Sequence, residues 1–180
     1  RPDIQLHFVV GILQNHARSL SPYHGVSCHA CVLRPTSRGW VQLASANPLD
    51  APLIHPNFLA TEADVAALLR GVRLMQRIMA AAPLGQYAAT EMQPTHALTD
   101  AQLIAEIRRR ADTVYHPVGT CRMGQDRLAV VDAQLRVQGM TGLRVVDASV
   151  MPTLIGGNTS APTIMIAEKA ADLIKASYAN

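Results

Sequence analysis

Aromatic side chains are scarce: two Phe, one Trp and four Tyr in 180 residues. With so few stacking surfaces, and no Lys/Arg run longer than Arg108-Arg109-Arg110, a nucleic-acid partner is not expected. The arginine triplet reads as a solvated helix face. Cysteine is also sparse, with an odd count of three. That excludes a disulfide scaffold and fits a reducing compartment, so a cytoplasmic location is expected. No apolar run approaches the length of a bilayer span, and no signal-peptide pattern is present. A G-x-S-x-G nucleophile elbow and a phosphate-binding loop are both missing. Charged residues make up only 16% of the chain, with a net charge of +3. What is abundant is apolar: 49% of residues, enough to bury a core and to exclude disorder.

Apolar periodicity orders the chain. "IQLHFVV" (Ile4 to Val10) alternates in part and is rich in branched residues, which predicts a strand. Since "RPDIQLHFVV" reads as though it begins inside a sheet, a fragment of a longer polypeptide is expected. "NHARSLSPYHG" (Asn15 to Gly25) reads as a loop. "VSCHACVLRP" and "RGWVQLAS" read as two strands joined at "RPTSRG". "NPLDAPLIHPN" holds three prolines and reads as an irregular extended crossing. Thr61 and Asp64 resemble a capping pair, and Val65, Leu68, Leu69, Val72, Met75 and Met79 follow at helical spacing. Pro83 and Gly85 close that helix. A second helix starts near Thr99, with Gln102 three residues on, and buries Leu103, Ile104 and Ile107. A turn is expected around Gly139 to Gly142, then a short strand, Leu143 to Val146. "MPTLIGGNTSAPT" reads as a loop. The last helix runs from about Pro162 to Ser177, with proline in its first turn.

Three places could carry chemistry. In "YHPVGTCRMG" (Tyr115 to Gly124), Pro117 biases His116 towards extended backbone, while Gly119 and Gly124 permit tight turns or close approach. Imidazole titrates near neutral pH and suits general acid/base work. On local physics alone, a buried histidine bonded to backbone is the better fit. Asn158, after Gly156-Gly157, is either an N-cap or a neutral hydrogen-bond partner for a substrate oxygen. Asp147 ends "RVVDAS", and the helix that follows offers free N–H groups to an anion or to a cofactor ring gaining negative charge. An ordinary strand–loop–helix unit would look the same. "CHAC" (Cys28 to Cys31) is read as part of a strand, where residues three apart face opposite ways, so no metal site is expected. His7, His16, His24, His29, His55 and His96 are scattered.

Taken together, "YHPVGTCRMG", "GLRVVDASVMPTLIGGNTSAPTIMIAEKAADLI" and "CVLRPTSRGWVQLAS" resemble the glucose–methanol–choline (GMC) flavoprotein oxidoreductases, and most closely their choline-dehydrogenase-like branch. The likeness runs from about Pro2 to Ile174. It implies a C-terminal portion, because that family's G-x-G-x-x-G motif is absent here. The fold implied is α+β: a mostly antiparallel sheet with helices packed on one face, plus a C-terminal strand–loop–helix that completes a flavin-binding domain. Residues 1–110 would form part of a substrate-binding domain, 111–142 the catalytic-histidine loop and hairpin, and 143–180 the return segment.

The resemblance assigns roles position by position. His116 matches the family's catalytic histidine, and Asn158 matches a second active-site position that is histidine or asparagine. Asp147 and Ala148 match the stretch along the flavin's ribityl and phosphate region. Asn158, Thr159, Ser160 and Thr163 match the helix start beneath the flavin's pyrimidine edge, and Tyr115 a wall of the substrate pocket. The implied cofactor is FAD, held tightly only with the N-terminal portion; the implied substrate is a small primary alcohol. The family's oxidases and lyases, or an isolated non-catalytic module, are the alternatives.

Overall fold

The computed structural model describes residues 1–15, 18–87, 90–92 and 94–178. His16 lies outside the described residues. The chain divides into two compact units: residues 1–38 with 57–114, and residues 39–56 with 115–180.

In the first unit, β1 (Ile4–Val9) pairs antiparallel with β4 (Ser27–Val32), Ile4 opposite Val32 and His7 opposite His29. Between them, β2 (Leu13–Gln14), just before the expected loop, forms a two-residue ladder with β3 (Ser19–Leu20) inside it. Helix α1 (Glu62–Met79) packs on the β1–β4 ladder. Gly71 makes that approach possible, since a Cβ there would stand 3.0 Å from Ile4 and 3.2 Å from Ala30. Thr61 caps the helix as expected, its side chain accepting from the Asp64 amide. Asp64 itself is buried, at 4% exposure, and fastens the 34–38 segment. Its carboxylate accepts from the Thr36 amide (2.8 Å), the Thr36 hydroxyl (3.0 Å) and the Ser37 amide (2.8 Å).

After α1, Pro83 starts rather than closes an element. The four-residue α2 (Ala82–Gly85) carries proline in its first turn, where its missing N–H costs nothing. Helix α3 (Asp100–Arg110) opens on a full capping box between Thr99 and Gln102, and it buries Leu103 and Ile107. Ile104 is half-buried.

The second unit opens with a hairpin, β5 (Trp40–Gln42) against β6 (Leu53–His55). The proline-rich crossing thus contains a strand: Leu53, Ile54 and His55 lie between Pro52 and Pro56, where no proline N–H is needed for the ladder. β4 and β5 are not partners; each pairs with another strand. The core of this unit is Val131, Leu135, Val150, Met151, Ile166 and Ala170, the last two from α4 (Ser160–Tyr178). The expected strand at 143–146 is reduced to one antiparallel bridge, Arg136 with Arg144. Leu135 stands opposite at φ 62°, and that left-handed turn interrupts the extended backbone a longer ladder requires. The turn before it forms as expected, with Gly139 and Gly142 both at φ 76°. The class is therefore α+β with small antiparallel sheets, and the three named ladders are separate two-stranded pairs.

Candidate active site

The candidate site lies wholly within the second unit and is built by two loops. The first is the segment from Tyr115 to Gly124. Tyr115 is at φ 62° and Gly119 at φ 94°. Gly119 admits the second loop, because a Cβ there would stand 3.4 Å from the Met151 carbonyl. The two segments are then strapped by backbone: the Cys121 amide donates to the Ser149 carbonyl (3.0 Å), and the Met123 amide to the Val150 carbonyl (2.8 Å). Gly124 is equally confined, with Ala129, Asp126 and Arg122 between 3.1 and 3.3 Å from where a Cβ would sit. A bidentate ion pair closes the far end. Arg122 Nη1 and Nη2 donate to the two Asp126 oxygens at 2.8 and 2.6 Å. The Arg122 guanidinium, helped by the Leu128 amide, pulls the Asp126 carboxyl from 3.8 to about 2.

The second loop follows Asp147. Asp147 Oδ1 accepts from the Ser149 amide (2.7 Å) and hydroxyl (2.5 Å), which starts a 3-10 turn over Ala148–Val150. The chain then reaches Gly156, at φ 85°, and enters α4. This is how His116 and Asn158, forty-two positions apart, meet. Asn158 Nδ2 is 2.9 Å from His116 Nε2, and Thr159 Oγ1 is 3.1 Å from His116 Nδ1. An amide nitrogen only donates, so Nε2 accepts; in a neutral ring the proton then rests on Nδ1 and is donated to Thr159. The ring is half-buried, Asn158 is exposed and Thr159 is buried. The arrangement holds an imidazole lone pair beside an amide N–H at the surface of the unit. An oxygen entering between them could receive the amide's hydrogen bond and lose its own proton to Nε2.

The remaining positions are placed as follows. Tyr115 is 62% exposed, next to the histidine. The side chain of Asp147 is engaged in its own turn. Thr163 donates its hydroxyl to the Thr159 carbonyl (2.6 Å). Ser160 is the exposed first residue of α4, and Ala148 is half-buried. Sequence reasoning placed Thr159 under the flavin and missed its bond to His116. A partial signal was present in "NTSAP", whose proline removes one of the two amides, that of the third helical residue, which a capping threonine could serve. Cys28 and Cys31 lie on β4 at opposite-facing positions, and burial pushes both thiols up. No helix among the described residues is long and apolar enough to cross a membrane.

Comparison with known families decides the kinship. The family model described as GMC oxidoreductase matches residues 35–167. The chain belongs to the GMC oxidoreductase family. An "Alcohol dehydrogenase [acceptor]" of Pseudomonas putida is 47% identical over 175 residues, covering 97% of this GMC chain and 32% of the relative. The mitochondrial choline dehydrogenase of Mus musculus is 48% identical over 177 residues, covering 97% and 30%. Among solved structures, a formate oxidase of Aspergillus oryzae RIB40, studied for modification of its FAD, superposes with a TM-score of 0.83. That pair is 30% identical, over 98% of this chain and 32% of the oxidase. The GMC chain thus spans about a third of the length of the relatives it matches.

Proposed function

We propose that this chain supplies the acid/base half of an FAD-dependent alcohol dehydrogenase, which oxidises a small, choline-like primary alcohol to an aldehyde. The observation that carries the reading is the 2.9 Å pairing of His116 Nε2 with Asn158 Nδ2. The names of the P. putida and mouse relatives supply the reaction class. In this reading the substrate hydroxyl enters between the two side chains. Neutral His116 takes the hydroxyl proton at Nε2, and Asn158 donates to the same oxygen and keeps it in line. A bound flavin supplies the acceptor for the hydride that leaves the alcohol carbon. Proton and hydride together convert CH–OH to C=O.

The residues fit such a cofactor. The first turn of α4 carries no acidic side chain, so its N–H groups and dipole are available to a ring gaining negative charge. Gly157 leaves the approach open, since a Cβ there would meet only Ile155 Cδ1, at 3.8 Å. Asn158, Thr159, Ser160 and Thr163 would face the ring at this helix start. Asp147 and Ala148 would lie along the ribityl chain through their backbone, the Asp147 carboxylate being already engaged. Tyr115 would wall the alcohol pocket. The domain roles belong to the same proposal: residues 1–110 to substrate binding, 111–142 to the histidine loop, and 143–180 to a return segment completing the flavin-binding domain with an N-terminal portion.

Anaerobic mixing of the full-length polypeptide with choline and other primary alcohols tests the reading. Bleaching of the oxidised flavin spectrum, with aldehyde formed, is the expected result. A flavin that no alcohol bleaches overturns it. Oxygen consumption in the same preparation separates an oxidase from a dehydrogenase.

A further inference from the structure

We propose that Thr159 is a positioning residue, supplying the acceptor for the His116 Nδ1–H that goes with a base at Nε2. The proposal rests on the alcohol-oxidation reading for its purpose, though not for its geometry. The Thr159 carbonyl accepts from the Thr163 amide at 3.0 Å, the first bond of α4, which puts Thr159 at the N-cap. An N-cap hydroxyl ordinarily serves the amide of the second or third helical residue. Here the third is Pro162, which has no N–H. The hydroxyl is instead 3.1 Å from His116 Nδ1, and at 8% exposure Thr159 leaves water little room to compete for that nitrogen.

A neutral imidazole carries one proton, which can sit on either nitrogen. With the proton on Nε2 the ring has no lone pair to offer the alcohol. In the resting arrangement two neighbours favour the useful form: Asn158 donates to Nε2 and Thr159 accepts from Nδ1–H. Once a substrate oxygen takes over the amide hydrogen bond, Asn158 no longer constrains the ring. The substrate hydroxyl then donates to Nε2, which leaves the ring's proton on Nδ1, and Thr159 is the acceptor that keeps this N–H from going unpaired. It also keeps a partner on Nδ1–H after Nε2 has been protonated. The residue does not touch the reacting oxygen; it acts through the histidine.

The test is the nitrogen-15 spectrum of the histidine rings in the full-length flavoprotein, with His116 assigned by the loss of its signals in His116→Gln. The expected wild-type spectrum has a pyridine-type Nε2 and a pyrrole-type Nδ1. Thr159→Val, which removes the hydroxyl at nearly constant volume, should mix the two tautomers. It should lower kcat about tenfold, the scale of one lost hydrogen bond, with KM little changed. Thr159→Ser should restore both readouts. A wild-type His116 carrying its proton on Nε2 overturns the proposal without any variant, so it stays testable if Thr159→Val does not fold. An unchanged tautomer together with unchanged kcat in Thr159→Val overturns it as well. If the tautomer result appears while no alcohol bleaches the flavin, the positioning role stands and the alcohol reading falls.

Discussion

At the scale of single residues, the site is a problem of aim. His116 needs a fixed direction, and the chain sets it from both sides. Pro117 restricts the backbone that follows. Tyr115, at φ 62°, takes the preceding residue through a left-handed conformation that costs a non-glycine residue energy. The restriction by proline is readable from "YHPVG", but the positive φ of Tyr115 is not, because nothing in a tyrosine asks for it. Tyr115→Gly should therefore leave the His116–Asn158 geometry intact. Tyr115→Val, β-branched at the same φ, should lower both the melting temperature and kcat. Thermal unfolding and steady-state assays of the two variants side by side check this, and equal behaviour would contradict it. The pairing of His116 with Asn158 was expected only through family resemblance. Local physics left each residue with an ordinary structural alternative, since spacing along the chain does not report a contact across forty-two positions.

At the scale of elements, capping chemistry is the part a sequence displays best. Thr61 and the Thr99–Gln102 box begin their helices where local hydrogen-bonding logic places them. Strand pairing is harder, because partners are chosen by distant segments. β5 finds its partner β6 inside the crossing that reads as irregular, and the 143–146 strand shrinks to one bridge across a left-handed Leu135. The 34–38 segment depends on a single buried carboxylate. Asp64→Ala would leave the Thr36 and Ser37 amides without an acceptor and should destabilise the first unit by about 2 kcal/mol or more, read by urea unfolding. Burial opposes ionisation of Asp64, yet the hydrogen bonds from Ser37 and Thr36 outweigh it and hold the carboxyl below its ordinary value. In the histidine loop, the Arg122–Asp126 pair has a pH signature. A carboxyl depressed from 3.8 to about 2 adds stability above its unfolded value, and that contribution is lost as pH falls through about 2. Asp126→Asn should flatten the acid side of the stability profile between those two values. An unchanged slope would show that the pair contributes nothing.

At the scale of the whole molecule, the chain is about a third of the length of its relatives, and several of its large apolar side chains are exposed. Ile164 and Met165 in the first turns of α4 are 60% and 59% exposed. The hairpin of the second unit exposes Ile54 and half-exposes Trp40, whose ring lies tilted against His55 with centroids 5.3 Å apart. Composition had announced a chain rich enough in apolar residues to form a core, but it could not say how much of that material stays uncovered in these 180 residues. Family membership follows from the match over residues 35–167; the reaction follows only if His116 is the base. The direct measurement is the single-turnover rate of flavin reduction by substrate, without oxygen, in the full-length His116→Ala variant. A positioned acid/base group contributes at least about a hundredfold, so the rate should fall by that much or more while flavin content and melting temperature hold. A variant that reduces its flavin within a few-fold of the wild-type rate would contradict the account.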